Sequence, residues 1–185
     1  EQYNGLAGSL FMLLMILGKR SGETRLMKWQ DIDFENKLWT IISKDTKTEN
    51  KHEVPLPSLA VDVLLQLKRK TGDQKFVFNS NVKPNTPIVH PSKASQRIRE
   101  RSKVSEFNPH SLRTTFVTWQ AKLETPKHIT SKLVNHGKDS EGSSVTEIYD
   151  KHDYIPAKRK ALNLWNKKLY TIITGEKAKV HRLLS

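Results

Sequence analysis

From Leu6 to Leu17 the chain carries no charged residue and little that is polar. A stretch that apolar has to be hidden, either in a bilayer or in a protein core. It is about half the ~20 residues that a bilayer-spanning helix needs. Glu1 precedes it and no small-residue cleavage site follows, so it lacks the logic of a signal peptide. It therefore reads as a core helix over residues 4–17, with Gly18 placed to cap its C-terminus. Everything else in the chain must supply faces for that helix to pack against.

Several segments offer such faces. Ser21 can cap a short helix running through Glu23 and Met27 towards Trp29, and Asp31-Ile32-Asp33 and Glu35-Asn36-Lys37 read as loop and turn. Leu38-Trp39-Thr40-Ile41-Ile42 is rich in β-branched and aromatic residues and reads as a strand. His52-Glu53-Val54-Pro55-Leu56 reads as its partner, with Pro55 marking an edge or a strand end. Ser58 is placed to cap a helix whose apolar face is Leu59, Val63, Leu64 and Leu67, stopped by Gly72. Phe76-Val77-Phe78 reads as a short strand, and residues 79–91, rich in Pro and Asn, as a loop. A basic helix is expected from Ser92 to Lys103, short helices at 127–135 and 146–151, and a polar, flexible loop at 137–144. A long helix from Pro156 to Tyr170 carries Leu162, Trp165 and Leu169 on one face. The fold class is α+β, predominantly helical with a small antiparallel β-sheet.

The charge balance narrows the partners. Lys and Arg total 32 against 19 Asp and Glu, a formal net charge of +13. That excess favours an anionic partner, with nucleic acid first and a membrane surface second. There is no cysteine, so neither a disulfide framework nor a thiolate zinc site can form. His52, His128, His152 and His181 do not fall at metal-ligand spacings.

The segment Asn108-Pro109-His110-Ser111-Leu112-Arg113 reads as a helix start, with Asn108 as N-cap and Pro109 at the first helical position. Leu112, Phe116, Trp119 and Leu123 then form one apolar stripe to about Leu123. His110 and Arg113, three apart, are neighbours to one side of it. Together with free backbone N–H groups at the helix start, they would suit an anion; a core helix carrying two solvated polar residues is the plainer alternative.

Six polar residues, Arg20, Lys47, His110, Arg113, His136 and Tyr149, are unremarkable singly but carry more weight in their order and surroundings. Gly18-Lys19-Arg20-Ser21-Gly22-Glu23 precedes Trp29-Gln30-Asp31-Ile32-Asp33, Lys47 lies seven residues before Val54-Pro55-Leu56, and His110-Ser111-Leu112-Arg113 opens a helix. Leu133-Val134-Asn135-His136 follows, and then Tyr149. In order and spacing this resembles the catalytic domain of the tyrosine recombinase (phage integrase) family, over about Leu6 to Leu169. Two features depart from the family pattern. Asn135 stands where glycine is usual, and the interval from His136 to Tyr149 is longer than is common, the excess falling in Ser140-Glu141-Gly142-Ser143-Ser144.

The resemblance implies a site-specific DNA recombinase that breaks and rejoins strands through a 3′-phosphotyrosyl intermediate, with no cofactor, neither metal nor ATP. Cleaving a phosphodiester passes through a pentacoordinate phosphorus centre with extra negative charge, which fixed cations must meet. Arginine suits this because its guanidinium forks onto two oxygens and stays charged. Arg20 and Arg113 would clamp the scissile phosphate, and His110 and His136 would donate to it or shuttle protons. Tyr149 would attack, assisted by His110, and Lys47 would protonate the departing 5′ oxygen.

Alternatives remain at several positions. Lys44 and Lys51 share the polar segment with Lys47 and could be backbone contacts to DNA. His136 could be a structural histidine. Tyr154 lies five residues after Tyr149, about 140° away on a continuous helix, so only one could face the phosphate; Tyr154 suits packing at the entry to the last helix. Lys44, Arg97, Arg99, Arg101 and Lys103 are expected to track DNA phosphates.

Residues 1–170 are expected to form the catalytic domain and 171–185 a basic C-terminal tail. The chain opens in helical sequence without an initiator methionine, which suggests a piece of a longer protein whose N-terminal DNA-binding domain is absent here. The expected partners are double-stranded DNA and further copies of itself, as a tetramer on DNA in the full-length protein and a monomer for this chain alone. No membrane partner is expected, and the expected location is the bacterial cytoplasm, associated with the nucleoid. A non-catalytic DNA-binding module of the same fold and a metal-dependent nuclease are the competing functions.

Overall fold

The structure is a computed structural model; it describes residues 5–43, 50–80, 82–88, 91–135 and 153–176, with Ser43 and Asn50 described by backbone alone. Helix α1 (Leu6–Leu17) is the centre of the core. Leu10, Leu13, Leu14, Ile16 and Leu17 are fully buried. They pack against α3 (Ser58–Thr71), α5 (Pro109–Lys122) and α7 (Ile155–Thr174). With helices on three sides, α1 can be apolar nearly all round its circumference.

Gly18 ends α1 in the left-handed region (φ 64°), its N–H bonded to the Leu14 carbonyl at 2.9 Å. A Cβ there would lie 2.2 Å from Cδ1 of Phe116, so glycine is needed twice over, for its torsion and for the close approach of α5. The Phe116 ring packs edge-on to Trp165 (centroids 6.2 Å apart, 88° between planes), and the Trp165 indole N–H donates to the Met15 carbonyl at 2.9 Å. These contacts lock α1, α5 and α7 together.

After Gly18 the chain forms the short α2 (Ser21–Arg25). Arg20 rather than Ser21 is the N-cap residue, and the Glu23 carboxylate accepts the Arg20 N–H at 3.0 Å. A single 3-10 turn, Trp29–Asp31, leads into a three-stranded antiparallel sheet of order β1-β2-β3: β1 (Ile32–Asp33), β2 (Leu38–Ser43) and β3 (Asn50–Pro55). Ile32-Asp33, expected as loop, is thus a strand, because Ile32 pairs with Trp39 and Asp33 with Leu38. Between β2 and β3 the register runs from Leu38↔Pro55 to Ser43↔Asn50. Pro55 sits at the strand end, where its missing N–H costs no ladder bond. Trp39 and Val54, opposite one another, are buried, while Ile42 is exposed.

Other expectations shift at the edges. Pro57, not Ser58, is the N-cap of α3. Phe76-Val77-Phe78 forms no named strand: it makes one bridge, Lys28↔Phe76, and the Val77 N–H bonds to the Met27 carbonyl at 3.0 Å. Its residues are buried all the same, so their apolar character serves the core rather than a ladder. The basic helix α4 (Ser92–Ser102) ends at Lys103 in the left-handed region, and α6 (Lys127–Val134) ends likewise at Asn135 (φ 52°). Helix α7 runs to Thr174, beyond the Tyr170 boundary expected from sequence, with Leu162, Trp165 and Leu169 buried. The expected loop at 137–144 and helix at 146–151 lie outside the described residues.

A candidate phosphate-binding site

Two arginines far apart in sequence are brought together at the end of α1. Arg113 lies in the second turn of α5 and is 4% exposed. Its Nη1 donates to the Gly18 carbonyl at 3.0 Å, which fixes the guanidinium beside the turn that carries Arg20. Its Nη2 is buried and has no hydrogen-bond partner among the described residues. Burial, followed by repulsion from the Arg20 guanidinium, lowers the Arg113 pKa, and Glu23 offsets this in part. Since arginine begins so far above neutrality, it stays charged. Two guanidinium cations thus stand side by side, an arrangement that suits an anion.

Arg20 is the exposed member of the pair, with its side chain at 51% of full exposure. Its Nη1 donates to the Asn135 carbonyl at 3.1 Å and lies 3.5 Å from the Glu23 carboxylate. The site is therefore assembled from the α1–α2 turn, α5 and the C-terminal end of α6. His136 follows Asn135 directly in sequence.

The start of α5 matches its sequence signals and corrects one expectation. Asn108 Oδ1 accepts the N–H groups of His110 (2.9 Å) and Ser111 (3.1 Å), and Ser111 Oγ meets the Asn108 N–H at 3.4 Å. A cap of this kind contributes about 1 kcal/mol. The donors expected to be free for an anion are thus occupied by Asn108, and an anion here must be held by side chains. His110 is exposed, whereas Arg113 is buried among the core residues Leu112 and Phe116. The two were expected as neighbours on the helix surface, but only His110 lies there.

Lys44, Lys47, His136 and Tyr149 lie outside the described residues. Tyr154 is described and is partly buried, in the left-handed region (φ 51°) as the N-cap residue of α7. Its ring meets His128 edge-on at 5.5 Å, with Lys132 Nζ 5.7 Å from its centroid. On α4, Arg97, Arg101 and Lys103 are exposed, while Arg99 donates to the Phe107 carbonyl at 3.1 Å and braces the α4–α5 connection.

A buried group of bases beside the site was not anticipated. Lys19, next to Arg20, is 1% exposed; its Nζ lies 2.5 Å from both His52 Nε2 and the Leu133 carbonyl oxygen. Lys158 of α7 is also 1% exposed and donates to the Glu53 carbonyl at 2.9 Å. Burial pushes Lys19 well below the usual lysine range and lowers His52 to about 2, with the neighbouring lysines adding to the effect on His52. Among the described residues no group of His, Asp or Glu is arranged to hold a metal ion. Nor is any described helix long and apolar enough to cross a membrane.

Comparison with known proteins adds an independent line. The model of the phage integrase family matches residues 6–155. Prophage integrase IntA of Escherichia coli (strain K12) is 26% identical over 156 residues, covering 84% of this chain and 37% of IntA. The chain thus spans little more than a third of the length of that relative. Among solved structures, the integrase of mycobacterium phage Brujita superposes with a TM-score of 0.63 at 19% identity, over 85% of this chain and 50% of that one. The Tn1549 transposon integrase, solved in complex with circular intermediate DNA, gives a TM-score of 0.59 at 16% identity, over 84% of this chain and 56% of that one.

Proposed function

Since the chain belongs to the phage integrase family, we propose that it is the strand-cleaving domain of a site-specific DNA recombinase, acting through a 3′-phosphotyrosyl intermediate without metal or ATP. The observation that carries this reading is the Arg113 guanidinium, held by Gly18 on one side and without a partner at Nη2 among the described residues, beside Arg20. A phosphodiester fits that arrangement because its two non-bridging oxygens accept from two cations at once. As the phosphorus becomes pentacoordinate the added charge falls on those oxygens, and cations already in place strengthen their hold at the transition state.

The remaining roles follow from the chemistry. Tyr149 attacks the phosphorus and forms a phosphotyrosyl bond as the 5′ oxygen leaves; His110 takes the phenolic proton and Lys47 gives one to the leaving oxygen. His136 donates to the phosphate. Attack by a 5′ hydroxyl from another strand reverses the sequence, and the bond energy is conserved throughout. Lys44, Arg97, Arg101 and Lys103 hold the DNA backbone outside the reacting centre, contributing affinity rather than sequence reading. Arg99, engaged with Phe107, contributes by fixing the α4–α5 connection. Residues 1–170 form the catalytic domain and 171–185 a basic C-terminal segment whose first four residues close α7. The full-length protein acts as a tetramer on DNA, and this chain alone is a monomer.

The test is a nicked duplex bearing the element's own attachment site, incubated with protein in EDTA. A covalent protein–DNA adduct is expected, abolished in Tyr149→Phe and retained in Tyr154→Phe. An adduct that survives in Tyr149→Phe and disappears in Tyr154→Phe reassigns the nucleophile. No adduct from the unaltered protein, despite salt-sensitive DNA binding, would overturn the catalytic reading.

A further inference from the structure

Lysine is almost never fully buried without a carboxylate partner. Lys19 is 1% exposed, and its hydrogen-bond partners are a histidine ring and a backbone carbonyl. Glu23 acts on it only through its field, against the opposing fields of Lys158, Arg113 and Arg20. Taking an ammonium out of water costs several kcal/mol. Burial accordingly pushes the Lys19 amine well below the usual lysine range. Its Nζ donates to the Leu133 carbonyl and makes a second hydrogen bond with His52 Nε2.

Leu133 is in the last turn of α6, where carbonyls lack intrahelical partners. Two residues on, the Asn135 carbonyl accepts from Arg20. The adjacent residues Lys19 and Arg20 thus reach two carbonyls at the same helix end, one from inside the protein and one from its surface. On its other side Lys19 meets β3 at His52, and β3 is itself held to α7 through Lys158 and the Glu53 carbonyl.

We propose that Lys19 is a positioning residue for phosphate binding: its buried amine ties the turn bearing Arg20 to β3 and to the end of α6, so that Arg20 is aligned with Arg113. The phosphate part of this rests on the reading of Arg20 and Arg113 given above. Because Lys19 secures the turn from inside, the remaining donors of Arg20 stay available to a ligand. The groups that act on Lys19 are His52 from β3, Glu23 from α2, Arg20 from its own turn, Arg113 from α5 and Lys158 from α7.

Lys19→Met keeps most of the length of the side chain and removes its donors. Two readouts are combined: the NMR signals of the Arg20 guanidinium without ligand, and the affinity for inorganic phosphate. The unaltered protein should show an Arg20 guanidinium in one restrained setting. In Lys19→Met its signals should average and phosphate affinity should fall about tenfold, the equivalent of one charge-assisted hydrogen bond. Lys158→Met, which frees β3 from α7 but leaves the Arg20 turn tied, should keep both readouts while lowering the melting temperature. If Lys19→Met does not fold, His52→Leu, which removes one partner of the amine, should loosen the Arg20 signals in the same direction. Unchanged Arg20 signals and phosphate affinity in a folded Lys19→Met, or unchanged Arg20 signals in His52→Leu, would overturn the proposal. If the unaltered protein fails to bind phosphate, the phosphate reading falls, and the Arg20 signals still decide whether Lys19 positions that side chain.

Discussion

Replacing Gly18 with alanine should be among the most damaging single-methyl additions in this chain. Two separable terms contribute. The left-handed torsion at Gly18 (φ 64°) costs an L-residue about 1–2 kcal/mol. The added Cβ would also stand 2.2 Å from Cδ1 and 2.5 Å from Cγ of Phe116, a ring that is fully buried and braced edge-on by Trp165. The ring has no room to retreat, and overpacking of this kind costs about 1–3 kcal/mol. The total is about 2–5 kcal/mol, a large share of the stability of an ordinary domain. Two other glycines separate the terms. Gly175 shares the torsion (φ 72°) but has nothing within 4 Å of an added Cβ among the described residues, so Gly175→Ala should show the torsional cost alone. Gly5 has neither feature, and Gly5→Ala should lie within about 0.5 kcal/mol of the parent. Urea unfolding followed by tryptophan fluorescence reads all three, with the midpoint moving at constant slope. In the double variant Gly18→Ala/Phe116→Leu the steric share should be recovered as a coupling energy. The reasoning is refuted if Gly18→Ala costs no more than Gly175→Ala, or shows no coupling to Phe116.

Stability should also fall in mild acid because of His52. Its folded pKa is about 2 against an ordinary 6.5, so the folded state binds fewer protons. Its contribution is complete above about pH 6.5 and is lost as pH drops towards 2, at about 1.4 kcal/mol per unit. Between pH 6.5 and 4.5 that amounts to about 2–3 kcal/mol, and His52→Gln should flatten the slope in urea melts. Asn108→Ala removes the acceptor for the His110 and Ser111 N–H groups and should lower stability by about 1 kcal/mol, read as a shift of the urea midpoint; a neutral result would show that water replaces the cap fully.

What was legible in the sequence was whatever depends on near neighbours. The Asn108-Pro109 start of α5, the end of α1 at Gly18 and the β2–β3 pairing follow from capping, torsion and side-chain alternation over a few residues. The burial of Arg113 did not follow, because its position depends on a carbonyl 95 residues earlier. Nothing near Lys19 and Lys158 in sequence marks them as buried, and the partners that accompany their burial are distant: Leu133 is 114 residues from Lys19, and Glu53 105 from Lys158. The same holds for Phe76-Val77-Phe78, whose composition suits a strand but whose neighbours provide a core and a single bridge. Lys103 and Tyr154 adopt left-handed torsions without being glycine, which composition does not announce; Asn135 does so too, and asparagine at a helix end is the one residue of the three that suits it.

The unequal exposure of the two arginines has an electrostatic consequence. Dissolved ions surround the Arg20 side chain, which is half exposed, and their screening shortens its reach to about 8 Å at physiological ionic strength. Arg113, at 4% exposure, is mostly enclosed by protein, and dissolved ions screen it much less. One cation therefore answers to the salt concentration of the surroundings more strongly than the other. Rising salt weakens the outer contact first and leaves the inner one, so a bound anion would pivot on Arg113 before it escapes.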